Sequence, residues 1–185
     1  MQSITLALAL LSATLSVAAP TTTAGYAVPS ILKTHDIITN KNEQAWVTST
    51  IRSGPHETTT LYDIPIPAEA AGRTCGLVFH ATNTATIAGT GALDIFRNGF
   101  TDLASLNEGN LRDQQIARIV FNPNTGFYDF KRGDFTPTVD AFPCPAGKTL
   151  HWESVSVGEY DVNVVAQDFG SDGVNAPSGI SVAWW

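Results

Sequence analysis

Through much of this chain every second residue is apolar, the period of a strand with one buried face. Within residues 58–65, Thr60, Tyr62 and Ile64 share a face, and within 74–80 Cys75, Leu77 and Phe79 do. Ala117, Ile119 and Phe121 alternate around Arg118. Tyr160, Val162, Val164 and Ala166 alternate against Asp161 and Asn163, which predicts an outward Asp161. At the C-terminus Ile180, Val182 and Trp184 alternate with Ser181, Ala183 and Trp185. The phase slips within 148–157. Leu150 and Trp152 have one parity and Val155 and Val157 the other, so a bulge is predicted near Glu153.

Further strands are predicted over 31–38, 45–51, 93–96 and around Tyr128. Gly- and Pro-containing turns separate several of them, at 70–72, 123–126, 145–147 and 157–159. Only 101–113 has room for a helical turn or two, and its mixed pattern suits a long loop equally. Eight to ten short antiparallel strands in one domain predict an all-β protein, a β-sandwich of jelly-roll or immunoglobulin-like type, over residues 30–185.

The first residues break this pattern. Residues 1–19, MQSITLALALLSATLSVAA, form a soft apolar run ending in Ala18 and Ala19. That is the apolar region and cleavage zone of a secretory signal, too short and too interrupted to span a bilayer. Residues 20–29 are then expected to form a flexible leader. The predicted localisation is secreted, in the extracellular space or cell wall.

Export changes how the cysteines are read. Cys75 and Cys144 are the two in the chain, and in an oxidising compartment they are read as one disulfide. The formal charge of −7 and a pI near 4.8 argue against nucleic acid and anionic membranes as partners. Lys131-Arg132 is the one adjacent basic pair, read as a solvated turn, and no Asn-x-Ser/Thr sequon occurs.

Two cysteine motifs carry a likeness to a known family. Asp63-Ile64-Pro65 is followed by Ala71-Gly72-Arg73-Thr74-Cys75-Gly76-Leu77-Val78-Phe79. Later come Phe142-Pro143-Cys144-Pro145-Ala146-Gly147, then Leu150-His151-Trp152-Glu153, and Gln167-Asp168 before the last strand. In these segments the chain resembles the fungal ubiquitin-3-binding-protein But, C-terminal domain, from about Ser30 onward. The resemblance implies fungal origin, frequent secretion and a β-sandwich, and supplies no catalytic residues. The chain departs from that pattern at His80-Ala81, where the family continues with an apolar residue and Pro. It departs again at its end, Trp184-Trp185, where many members carry a further Cys.

Candidate chemistry is sparse. His35, His56, His80 and His151 form no His-x-His or His-x-x-x-His pair, so no metal and no cofactor is expected. No Gly-x-Ser-x-Gly elbow occurs. Among the acids Asp94, Glu153, Asp161 and Asp168, Asp94 and Asp161 are expected to point to solvent, and no catalytic residue is assigned. The run 168–175 is rich in oxygen ligands but lacks calcium-loop spacing, and is read as a hydrogen-bonded turn. The aromatics give a stronger lead. Trp185 has the opposite parity to the core and Trp46 lies in a strand of mixed polarity, and both are candidate ligand-facing indoles. The predicted role is non-catalytic binding of cell-wall polysaccharide. A secreted effector that binds an extracellular protein, or a hydrolase with paired carboxylates such as Glu153 and Asp168, are the alternatives. The sequence leaves the oligomeric state open.

Overall fold

The structure, a computed structural model, describes residues 25–53, 56–133 and 136–185. The predicted signal at 1–19 and the start of the leader lie outside the described residues. Fourteen strands follow in order. They are β1 (Gly25–Ala27), β2 (Ile31–Asp36), β3 (Lys41–Gln44), β4 (Val47–Ser53), β5 (His56–Pro65), β6 (Thr74–His80) and β7 (Thr86–Ala88). The second half holds β8 (Ala92–Asn98), β9 (Arg112–Phe121), β10 (Tyr128–Phe130), β11 (Phe142–Pro143), β12 (Thr149–Ser156), β13 (Val162–Ala166) and β14 (Gly179–Trp184). The one helical turn among the described residues is 3-10, at Ala68–Ala70.

All pairings between these strands are antiparallel. The small sheet runs β1-β14-β6-β11. The larger runs β10-β9-β8-β12-β5-β4-β13-β7, with β2 and β3 attached through β5. The sandwich turns its corner at β5. Thr58 pairs with Asp36 of β2 on one edge and with Ile51 of β4 on the other. From Thr60 to Pro65 that second edge belongs to β12. β4 and β12 therefore part along one strand, and side chains replace the lost ladder. Thr60 Oγ1 accepts from Ser49 N at 2.9 Å and donates to Ser49 O at 3.0 Å. Tyr62 Oη bonds Ser154 Oγ at 2.7 Å and Thr48 Oγ1 at 3.1 Å, and Ser156 Oγ donates to Thr50 O at 3.2 Å. A wedge of buried hydroxyls is thus what a splitting sheet requires.

The main core fills the space between the sheets with Leu32, Ile64, Leu77, Phe79, Ile95, Ile119, Val165, Ile180 and Val182. Phe79 of the small sheet meets Tyr128 of β10 at 4.7 Å between ring centroids. Cys75 and Cys144 are disulfide-bonded, with Cα atoms 4.9 Å apart across a separation of 69 residues. The expected all-β sandwich with one disulfide is what the chain forms.

Several local expectations need correction. There are more strands than eight to ten, because β1, β3, β7 and β11 are two to four residues long, too short to leave an alternation. Gly25–Ala27, expected within the loose leader, pairs with β14. No bulge occurs at Glu153, since β12 keeps continuous register with β5 and β8. The irregularities fall instead in the β8–β9 pairing, at Ile95/Phe96 and Arg97/Asn98. The parity of β13 is inverted: Asp161 and Asn163 are fully buried while Tyr160 is exposed. Asn163 Oδ1 accepts from the Tyr128 hydroxyl at 3.0 Å. Asp161 accepts from Thr90 N at 2.6 Å, Gly158 N at 2.8 Å and the Thr90 hydroxyl.

The phase slip in β12 has another cause. Residues 99–111 form a strap over the outer face of the large sheet, with Leu61, Phe100 and Leu103 as a second small core. Lys33 Nζ, itself buried, donates to Ala104 O and Leu106 O at 2.9 Å each. Under the strap Glu153 is buried with both carboxylate oxygens occupied. It accepts from Arg112 at 2.7 and 3.0 Å, Thr59 at 2.7 Å, Asn98 at 3.1 Å and Asn110 at 3.0 Å. Burial pushes its pKa up, but Arg112, helped by Thr59 and Asn98, outweighs this and holds it below the ordinary 4.5.

Candidate functional site

A cavity opens at the end of the sandwich where β6 finishes, beside the turn between β9 and β10. It is an open cleft of about 640 Å³. Its apolar floor comes from Ala85, Ile87 and Phe121, and its polar walls from Thr82, Asn83, Asn124 and Thr125. The turn holding Asn124 is built locally: Asn122 Oδ1 accepts from Asn124 N, and Gly126 takes a positive φ of 76° that favours glycine. A Cβ on Gly126 would approach Ala81 O to 3.2 Å, so this glycine also lets the turn close on β6.

His80 stands at the rim. Its ring stacks on Phe127 at 4.5 Å and 15°. Its Nδ1 lies 3.2 Å from Ala176 O. A carbonyl only accepts, so Nδ1 carries a proton and donates to Ala176 O. Among the described residues no Asp, Glu, Lys or Arg lines the cleft. In a chain of formal charge −7 that is a marked local difference.

The loop 167–178 adjoins the cleft and is closed at its neck. Asp168 N donates to Ser178 O at 2.9 Å, and Ser178 N donates to the Asp168 carboxylate at 2.7 Å. Gln167 is buried and bonds both N and O of Ile180. The Asp172 carboxylate accepts from Val174 N, Asn175 N and Asn175 Nδ2, each at 2.8 Å. The backbone amides of Asn175 and Val174 hold its pKa below the ordinary value. The oxygen-rich run thus forms a self-bonded turn. Among the described residues no group of three or more His, Cys, Asp or Glu is placed to hold a metal.

The two candidate indoles are not brought together. Trp46, in the bend before β4, is 70% exposed, and its ring meets Phe169 edge-on at 5.7 Å. Trp185 exchanges backbone hydrogen bonds with Thr74 and is half-buried, its ring laid over Gly76. It sits beyond the Trp184–Cys75 pair, whereas His80 pairs with Gly179 at the other end of β14. Of the two indoles, Trp46 is the one that touches the loop beside the cleft, through Phe169.

The remaining candidates have structural partners. Asp94, expected to face solvent, is largely covered and holds Arg118 through two bonds of 2.7 Å. Asp161, also expected outside, is buried as described above. His151 Nδ1 lies 2.6 Å from the Asp63 carboxylate beneath Phe100. His35 is buried and bonds Asn42 at 2.6 Å. No helix among the described residues is long and apolar enough to cross a membrane.

Sequence reasoning singled out neither the cleft nor His80 as its rim. No family model, curated protein or solved structure matches this chain. The functional reading therefore rests on the cleft and the loop beside it.

Proposed function

We propose that this is a secreted, non-catalytic protein of the extracellular space or fungal cell wall, and that its end cleft binds neutral polysaccharide. The observation that carries this is that no Asp, Glu, Lys or Arg among the described residues lines this cleft, in a strongly acidic chain. Amide and hydroxyl side chains over an apolar floor match a sugar ring, which presents hydroxyls at its edge and C–H groups on its face. Asn83 and Asn124 each offer a donor and an acceptor. A hydrolase reading gains no support, since Glu153 is enclosed with Arg112 beneath the strap and Asp168 braces a loop neck.

Retention of the purified protein on chitin, β-glucan and mannan tests the reading. Retention on at least one polymer is expected, reduced about tenfold by Asn83→Ala with Asn124→Ala, the loss of two hydrogen-bonding groups. Retention on none would remove it. The exposed Trp46, Val47, Phe169 and Val174 favour a second reading, a protein-interaction module. That reading predicts a protein captured from wall extracts with no polymer bound.

A further inference from the structure

We propose that the ligand is an extended neutral oligosaccharide, not a single sugar, which runs from the cleft across the 167–178 loop to Trp46, a second subsite. This rests on the reading of the cleft above and adds to it the length and path of the ligand.

The loop joins the two places. On one flank Phe169 supports the edge of the Trp46 indole at 5.7 Å. On the other, Ala176 O holds His80 at 3.2 Å and Ser178 Oγ lies 3.4 Å from Thr82 Oγ1, both at the cleft. Between the flanks the loop carries a shallow cavity of about 200 Å³ lined by Asp168, Ser171, Asp172 and Asn175. Polar side chains therefore continue from the cleft toward the indole. The Asp168 carboxylate uses Oδ2 for Ser178 N, and Oδ1 has no hydrogen bond among the described residues, so it offers an acceptor to a ligand hydroxyl.

The path is also held in place before any ligand arrives. The neck bonds of Asp168, Ser178 and Gln167 fix the loop base, and Asp172 fixes its tip. Binding then costs little ordering of protein. An exposed tryptophan face with a rigid neighbour takes the apolar face of a sugar ring by stacking.

Calorimetry on the intact protein tests this, using chito- and β-gluco-oligosaccharides from dimer to hexamer. Affinity is expected to rise with length. Trp46→Ala should weaken the hexamer about tenfold and leave the dimer unchanged, while Trp46→Phe recovers most of the loss. Asn124→Ala should weaken every length. Trp46 is exposed, so far-ultraviolet circular dichroism of the variant should match the parent. Equal affinity for dimer and hexamer, or a hexamer indifferent to Trp46→Ala, would overturn the extended path and leave the cleft reading intact. Failure of every oligosaccharide to bind the parent protein would overturn the cleft reading itself.

Discussion

Glu153 is the residue that most changes how the sequence is read. A carboxylate in the middle of a strand looks like a break in alternation, yet here it is buried on the strapped face and held by four side chains. Removing the cation leaves that charge uncompensated. Arg112→Ala is expected to destabilise the fold by about 3 kcal/mol, the lower end for a broken buried pair because Arg112 is partly exposed. Urea unfolding of the variant measures it, and a loss under about 0.5 kcal/mol would mean the pair contributes nothing beyond a surface bridge. The sign of the pH dependence follows from the depressed folded pKa. The stabilisation is complete above the ordinary value of 4.5 and is lost as pH falls through the lower folded value. Glu153→Gln should flatten the acid limb of the stability profile, and an unchanged slope would contradict the assignment. Gly76 makes a second point at this scale. A Cβ there would meet the Trp185 ring at 2.8 Å and Asp140 O at 2.9 Å. Gly76→Ala should lower the melting temperature and expose Trp185 to solvent, read as a red-shifted emission.

Among the elements, the long strands were legible and the short ones were not. β5, β6, β12 and β14 carry enough alternating residues to declare themselves. β13 declared its existence but not its facing, because Asn163 and Asp161 are buried by partners from β10 and the 89–91 turn that are distant in sequence. The strap was legible only as an ambiguous loop. Its anchoring by Lys33 depends on carbonyls more than seventy residues away. Lys33→Met should leave Ala104 O without a donor, while Leu106 O keeps Asn42 Nδ2, and should cost about 2 kcal/mol. Hydrogen exchange should then quicken under the strap while β6 and β14 stay protected, and uniform quickening would show that the strap does not open by itself. The disulfide was readable from two cysteines and the predicted compartment. It ties β6 to the segment after β11, and its replacement by Cys75→Ser with Cys144→Ser should cost about 4 kcal/mol in the chain-entropy account.

At the scale of the whole molecule, the sandwich brings together residues that have no motif in common. His80, Asn83, Asn124 and Phe121 meet only because β6 ends beside the β9–β10 turn, and this adjacency is a product of topology. Local patterning finds strands and turns, and it cannot find a cleft assembled from the ends of four of them. Trp46 stood out because it lies in a segment of mixed polarity and Trp185 because its parity opposes the core; the fold leaves the first ring exposed and lays the second over a glycine. The lack of Asp, Glu, Lys and Arg among the described residues of the cleft has its own consequence: affinity for a neutral glycan should vary little with ionic strength, whereas binding driven by the net charge of −7 would fall steeply with salt.

The most direct test is a nuclear magnetic resonance titration of the ¹⁵N-labelled protein with a neutral cell-wall oligosaccharide. Saturable shifts centred on the amides of His80, Asn83, Asn124 and Gly126, with Trp185 and Glu153 unmoved, are the predicted result. Shifts confined to any other face, or no saturable shift at all, would contradict the account.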